Sequence, residues 1–266
     1  MLKSFLKKIL KKFGFQLVPA GKNERMSFDG VMGYLAGATH PKIVIDVGAA
    51  YGDFSLRLHP FFPDATYILC EPLLEYLPIL EKREKEYGFH IIKEAVGDSV
   101  GKVNFFVHDD MVGSSLKRES EGSHVDGQSR EVSMTTLDHI KAQHHLDGSV
   151  FLKVDVQGAE LDVLRGATNV LALCDVVVLE VSFFRSMIGG SDVAQVVAFM
   201  KEKGFVIYDI LGLLYRPYDR ALVQADMVFI PERSALRKFQ GYATKEQREI
   251  QTKRFQEKHY RILHTQ

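Results

Sequence analysis

Residues 43–55 read Ile-Val-Ile-Asp-Val-Gly-Ala-Ala-Tyr-Gly-Asp-Phe-Ser. The aliphatic, mostly β-branched run from Ile43 to Val47 predicts a short buried strand of the kind found in parallel sheets. Gly48 and Gly52 predict a turn, and Asp53 or Ser55 opens a helix beyond it. Glycines let backbone approach a ligand where a side chain would block it. The helix start adds unpaired N–H groups that an acceptor can use. Together these features imply a nucleotide or nucleoside pocket, against the plainer reading of a tight strand-to-helix turn.

Spacing decides the ligand. A dinucleotide fingerprint is G-x-G-x-x-G, whereas here the small residues are Gly48, Ala50 and Gly52, with an acid, Asp46, two positions upstream. An acid on the strand followed by G-x-(G/A)-x-G resembles the first motif of class I S-adenosylmethionine (SAM) methyltransferases. In that motif the acid works near the methionine end of the ligand.

At 266 residues the chain suits one domain with appendages and is long enough to bury a full core. The expected division is an N-terminal helix and connector over residues 1–40, a cofactor-binding domain over 41–232, and a helical tail over 233–266. Lys+Arg and Asp+Glu are 34 each, so net charge gives no reason to expect a nucleic-acid partner. Cys70 and Cys174 sit in apolar runs and read as buried free thiols of a reducing cytoplasm, the expected location. No run of about 18 apolar residues suits a membrane span, and lysines interrupt any secretory signal.

Residues 1–13 place Leu2, Phe5, Leu6, Ile9, Leu10 and Phe13 at helical spacing, with Lys3, Lys7, Lys8, Lys11 and Lys12 between them. This basic amphipathic helix suits peripheral contact with the anionic inner face of a membrane, or packing on the domain or on a second copy of the chain. Residues 28–38 read as a helix, a segment that can lie across the cofactor cleft. From Lys42 onward strand and helix signals alternate, the pattern of an α/β domain.

The second predicted strand, residues 66–70, ends in Glu71-Pro72. A carboxylate there can accept from both ribose hydroxyls of a nucleoside. Residues 73–87 read as helix and 89–96 as a third strand, whose end, Val96-Gly97-Asp98, is expected beside the adenine ring. Alternating runs at 103–108 and 131–134 predict extra strands, and the polar stretch 113–130 between them reads as a lid or an unstructured loop. His108, Asp109, Asp110 and His124 lack metal-ligand spacing and read as solvated loop residues.

Residues 150–167 carry the second informative pattern. A strand delivers Lys153 and Asp155 near its carboxyl end, Gly158 turns the chain, and Glu160 opens a helix. Ligands of open α/β sheets bind at the carboxyl ends of strands, so these charges are expected to face the cleft. Inside an apolar strand they are costly unless paired. The next strand, 176–179, again ends in an acid, Glu180. Ser191 or Asp192 then caps a helix to Lys203. Strands at 205–210 and 225–230 are expected to form a hairpin that makes the last one antiparallel.

Taken together, Asp46 to Ser55, Glu71-Pro72, Ala95 to Asp98, Thr136-Leu137-Asp138, Leu152 to Glu160 and Leu179-Glu180-Val181 are similar to the FkbM family of SAM-dependent methyltransferases. Two positions depart from that pattern: Gln157 where the family usually has Glu, and Ala50 where it often has Asn. The resemblance implies a Rossmann-like class I methyltransferase fold, α/β, with a seven-stranded mostly parallel sheet, an antiparallel last strand and helices on both faces. It also implies SAM as cofactor and O-methylation of a sugar, glycan or natural-product hydroxyl. By the same resemblance Asp46, Gly48, Ala49, Tyr51 and Gly52 would surround the methionine part, Glu71 and Pro72 the ribose, and Val96, Gly97 and Asp98 the adenine. Asp155 would act as base, with Lys153, Glu160 and Glu180 orienting it or binding the acceptor. Asp155 and Glu180 also raise a divalent-metal alternative, but no diagnostic spacing supports one. Two other readings, a nicotinamide-dependent oxidoreductase and a membrane-docked scaffold with a degenerate cofactor fold, fit the glycine spacing and the intact acids less well.

Overall fold

The computed structural model describes Arg25, residues 27–122 and residues 124–264. The expected helix over residues 1–13 lies outside the described residues. The chain divides into two compact units, one up to residue 232 and one from residue 233.

In the first unit the elements follow one another as α1 (Phe28–Ala36), β1 (Ile43–Val47), α2 (Asp53–Leu58), β2 (Thr66–Cys70), a 3₁₀ turn (Leu74–Tyr76), α3 (Leu77–Tyr87), β3 (His90–Ile92) and β4 (Ala95–Val96). Next come β5 (Gly101–Val107), β6 (Gln128–Thr135), α4 (Leu137–Gln143), β7 (Val150–Val154), α5 (Glu160–Arg165) and α6 (Thr168–Leu171). The unit ends with β8 (Cys174–Ser182), α7 (Val193–Glu202), β9 (Phe205–Tyr215) and β10 (Leu222–Pro231). The seven-stranded sheet has the order β3-β2-β1-β7-β8-β10-β9. All its pairings are parallel except those of β10, which runs antiparallel to both β8 and β9.

Strand alternation sorts the core. Ile43, Ile45 and Val47 of β1, Leu152 and Val154 of β7, and Val177, Leu179 and Val181 of β8 share one apolar cluster with Leu137, Val163, Leu164, Val170 and Val196 from the helices. Each fully buried aliphatic side chain contributes roughly 1.5–3 kcal/mol, so this face holds the sheet against α4 to α7. The alternate positions, Asp46, Lys153, Glu180 and Asp226, therefore point to the opposite face, where the sheet carries its charges.

The structure corrects four expectations. The expected third strand over 89–96 is two short strands in different sheets: β3 pairs with β2, while β4 pairs with β6 beside the β5–β6 hairpin. The helix at residues 28–36 does not cross the cleft. Its Phe28 packs edge-on against Phe54, and the neighbouring Arg25 is hydrogen-bonded to Asp209 of β9 at 3.0 Å. The stretch after β5 is not unstructured, since Ser115 pairs with Phe106 and its hydroxyl donates to the carbonyl of Gln157 at 2.7 Å, while Glu119 bridges to Met187. The final hairpin strands are longer than expected, because β9 continues through Tyr215 over a register shift opposite Gln224.

The second unit contains a 3₁₀ turn, Ala235–Arg237, and α8, Lys245–His264. Thr244 caps α8 by accepting from the N–H of Gln247 at 3.2 Å. Among the described residues no helix is long and apolar enough to cross a membrane.

Candidate active site

The turn after β1 is fixed from three sides. The N–H groups of Gly48 and Ala49 both donate to the carbonyl of Cys70, and the N–H of Asp155 donates to the carbonyl of Val47 at 3.0 Å. Gly48 has φ +76°, and a Cβ added there would stand 1.8 Å from the carbonyl oxygen of Asp155. Only glycine fits that approach. Asp46 is fully buried and accepts from the Ser55 hydroxyl at 2.7 Å. Burial pushes its carboxyl up to about 6, with Ser55 and the Lys153 charge pulling the other way.

Three non-glycine residues that line the cavity described below adopt left-handed backbone, Ala50 (φ +45°), Met111 (φ +64°) and Gln157 (φ +51°). A left-handed alanine costs roughly 1 kcal/mol. Replacing Ala50 by glycine is therefore expected to raise unfolding stability by about 0.5–1 kcal/mol, read from urea denaturation. A loss of stability would mean that the Ala50 methyl packs usefully.

Glu71 closes the next side. Its two carboxylate oxygens accept from the N–H groups of Ala50 and Leu73, each at 2.9 Å. Burial pushes this carboxyl up to about 7, and those two N–H groups limit the rise. Glu71 and Gly48 belong to the wall of a cavity of about 680 Å³, its open mouth included. Its floor is formed by Val47, Gly48, Ala50 and Cys70, one side by Glu71 to Leu73, Tyr76 and Glu94 to Val96, and the other by Asp155 to Gln157. Phe105, Met111, Val112, Ser114 and Leu116, from β5 and the stretch after it, form the remaining wall.

Of the residues expected to bind cofactor, Gly48, Glu71, Pro72 and Val96 therefore line this cavity. Asp46 and Ala49 stand behind it as buried supports. Gly52 backs onto Leu69, and Tyr51 is half-exposed and meets the cavity only through its ring contact with Tyr76. Gly97 lies against Met134, and the Asp98 carboxylate accepts from the Ser99 hydroxyl in the turn to β5, so neither reaches the cavity. The reason is the split of the third strand, which turns the chain away after Val96.

On the charged face of the sheet, three strands converge beside the cavity. The Lys153 ammonium, 4% exposed, stands 3.3 Å from Asp155 and 3.1 Å from Asp226, with the Phe54 ring 5.6 Å away. The Gln157 amide donates to Asp155 at 2.9 Å and to Glu180 at 2.7 Å. The Gln224 amide also donates to Glu180, at 2.9 Å. Burial pulls the Lys153 ammonium down, but Asp155, Asp226, Glu180 and Asp46 outweigh it, so the group stays charged with a raised pKa. Glu180 is pushed up to about 8 by burial and by the Asp155 charge, with Lys153 pulling the other way.

Glu160 stands apart from this cluster. It is 2% exposed, accepts from the N–H of Gly158 at 2.9 Å and faces the Ser191 hydroxyl, so it ties the turn after β7 to the loop before α7 and does not line the cavity. Burial pushes it up to about 7. Among the described residues no group of three or more His, Cys, Asp or Glu is arranged to hold a metal ion.

A sheet of this order, with its one antiparallel strand and a cavity over the carboxyl ends of β1 and β2, has the arrangement of a class I methyltransferase. The family description Methyltransferase FkbM domain matches residues 46–207, more than half of the sequence, and the chain belongs to that family. Among solved structures, the chain is similar to the FkbM methyltransferase from Methylobacillus flagellatus KT (16% identity, 77% of this chain and 47% of that one, TM-score 0.47). The chain thus spans about half the length of that relative. It is also similar to the magnesium protoporphyrin IX methyltransferase of Synechocystis PCC 6803, solved with bound SAM (12% identity, 86% and 96%, TM-score 0.43). A third similarity is to TrmK of M. capricolum, in complex with S-adenosyl-homocysteine (9% identity, 79% and 70%, TM-score 0.42). No curated protein matches the chain.

Proposed function

We propose that the chain is a SAM-dependent O-methyltransferase acting on a hydroxyl of a sugar, a glycan or a glycosylated metabolite. The observation that carries this reading is the position of Asp155, which belongs both to the cavity wall and to the charged cluster beside it. The cavity suits an adenosyl ligand, since Gly48 brings bare backbone to its wall and Glu71 presents a carboxylate to it. Gly48 and Glu71 would hold SAM, with Val96 against its base, and SAM when bound supplies an electrophilic methyl group.

What the chain supplies is alignment and a proton acceptor. An acceptor hydroxyl would donate to a carboxylate oxygen of Asp155, which would take its proton. The Lys153 ammonium pairs with that carboxylate at 3.3 Å, and the Gln157 amide fixes its orientation. The apolar wall from Phe105, Met111, Val112 and Leu116 keeps water from competing with the acceptor. Polyhydroxyl acceptors suit the neighbouring cluster, where Glu180, Asp226 and Gln224 offer both donors and acceptors.

Calorimetry with SAM, with NAD as the control, tests the cofactor. Absence of heat with SAM, or binding of NAD in its place, would remove this reading. For the chemistry, Asp155→Asn is expected to bind SAM within about twofold of the native chain while methyl transfer falls by at least about 100-fold. Transfer is read as a mass gain of one methyl group in a cell-derived pool of glycans and metabolites. Full transfer by the Asn variant would strip Asp155 of its role as base.

A further inference from the structure

Tyr76 closes the 3₁₀ turn Leu74–Tyr76, five residues beyond Glu71, and forms part of the cavity wall. It is 2% exposed, and its hydroxyl is buried with no hydrogen-bond partner among the described residues. Three other buried polar atoms share that condition, Arg83 Nη1, His108 Nε2 and Thr135 Oγ1, but only Tyr76 belongs to the cavity. Native proteins pair nearly all such groups, because a buried hydroxyl without a partner forfeits its hydration and regains nothing. The Tyr76 side chain lines the cavity, and its unpaired hydroxyl is a donor that a ligand seated there would satisfy.

The ring is held for that purpose. Tyr51 packs edge-on against Tyr76, centroids 4.7 Å apart at 85°, and is itself half-exposed. That contact gives Tyr51, which does not line the cavity, a role acting through its neighbour. Burial pushes the Tyr76 phenol up to about 12, so it stays a neutral donor at working pH.

Resting on the SAM reading above, we infer that the Tyr76 hydroxyl donates a hydrogen bond to the nucleoside half of the adenosyl ligand, making Tyr76 a cofactor-recognition residue. Sheet order assigns the half. β1 separates β2 from β7, so the wall that follows β2 lies on the far side of the turn from Asp155, where the methyl group is transferred. That wall carries Glu71, the ribose carboxylate, and Glu94 to Val96 beyond it. A donor between them meets ribose oxygens and ring nitrogens, not the methionine part.

The test is Tyr76→Phe in the full chain, with binding of SAM, S-adenosyl-homocysteine and adenosine measured by calorimetry and thermal unfolding measured without ligand. Removing a hydroxyl that only the ligand satisfies weakens all three ligands by a common factor, about tenfold or ~1.4 kcal/mol. The same substitution raises the unfolding midpoint of the free protein by about 2 °C, because it deletes an unpaired buried group. These opposite signs are what a structural hydroxyl cannot produce. Unchanged affinity, or a lower midpoint in the free variant, overturns the assignment of Tyr76. Weakened SAM with unchanged adenosine overturns the choice of the nucleoside half. A native chain that binds none of the three ligands rejects the SAM reading itself and this inference with it.

Discussion

Gly48→Ala is expected to lose SAM binding altogether and to destabilise the fold by about 3–5 kcal/mol. The new Cβ would stand 1.8 Å from the carbonyl oxygen of Asp155 and 2.9 Å from its carbonyl carbon. Neither can swing aside, because the N–H of that same residue is bonded to the carbonyl of Val47 and holds the ends of β1 and β7 together. The positive φ adds a penalty of about 1–2 kcal/mol for any residue with a Cβ. Relief requires parting the two strands at the point where the cavity floor meets Asp155. Gly52→Ala is the control. Its Cβ would meet the Leu69 methyl at 2.9 Å, the end of a flexible side chain, so its cost is expected near 1 kcal/mol beyond the shared backbone strain. Urea unfolding and calorimetry with SAM measure both. A Gly48→Ala protein within about 1 kcal/mol of native that still binds SAM would contradict the close approach of β1 and β7.

The sequence announces this turn because its signals are local. An aliphatic run bounded by Gly48 and Gly52, with Asp46 buried inside it, is readable without any partner strand. The same holds for Glu71 at the end of β2 and for Lys153 and Asp155 at the end of β7. What the sequence hides is convergence. Phe105, Met111, Val112 and Leu116 reach the cavity because a second sheet folds over the first, and that sheet depends on β4, a strand of two residues pairing with β6 some forty positions away. No periodicity marks two residues, so the chain from 89 to 96 reads as one strand when it is two.

Gln224 and Asp226 were within reach. Both sit at alternate positions of β10; Asp226 falls in the run 225–230 that the sequence reads as a strand, where a polar residue calls for a partner, and Gln224 lies one residue before it. Their partners, Glu180 and Lys153, were already in view. Glu160 marks the opposite error. A charge just beyond a strand end suggests the cleft, yet the nearest unsatisfied N–H, that of Gly158, lies two residues away and captures the carboxylate.

Lys153→Met is expected to cost about 3–5 kcal/mol at pH 8.5 and markedly less at pH 5.5. Methionine keeps most of the side-chain volume, so packing changes little and the loss is electrostatic. Lys153 is the ammonium set among Asp46, Asp155, Glu180 and Asp226, and without it those carboxylates face one another in a buried setting. The pH dependence follows from the raised groups. Glu180 is pushed up to about 8 and Asp46 to about 6, each above its ordinary value near 4. A carboxyl raised on folding contributes stability that is complete below its ordinary value and lost as pH climbs through the raised one. The native chain should therefore lose stability between about pH 4 and pH 8 through these two groups. Lys153 opposes both shifts, so removing it drives the carboxyls higher still and deepens the loss on the alkaline side. In acid the carboxyls bind protons, the repulsion ends and the variant approaches the native chain. Urea unfolding of both proteins at the two pH values decides the matter: an equal loss at pH 5.5 and pH 8.5 would mean that Lys153 holds the sheet by packing over Phe54 and not by balancing its acids.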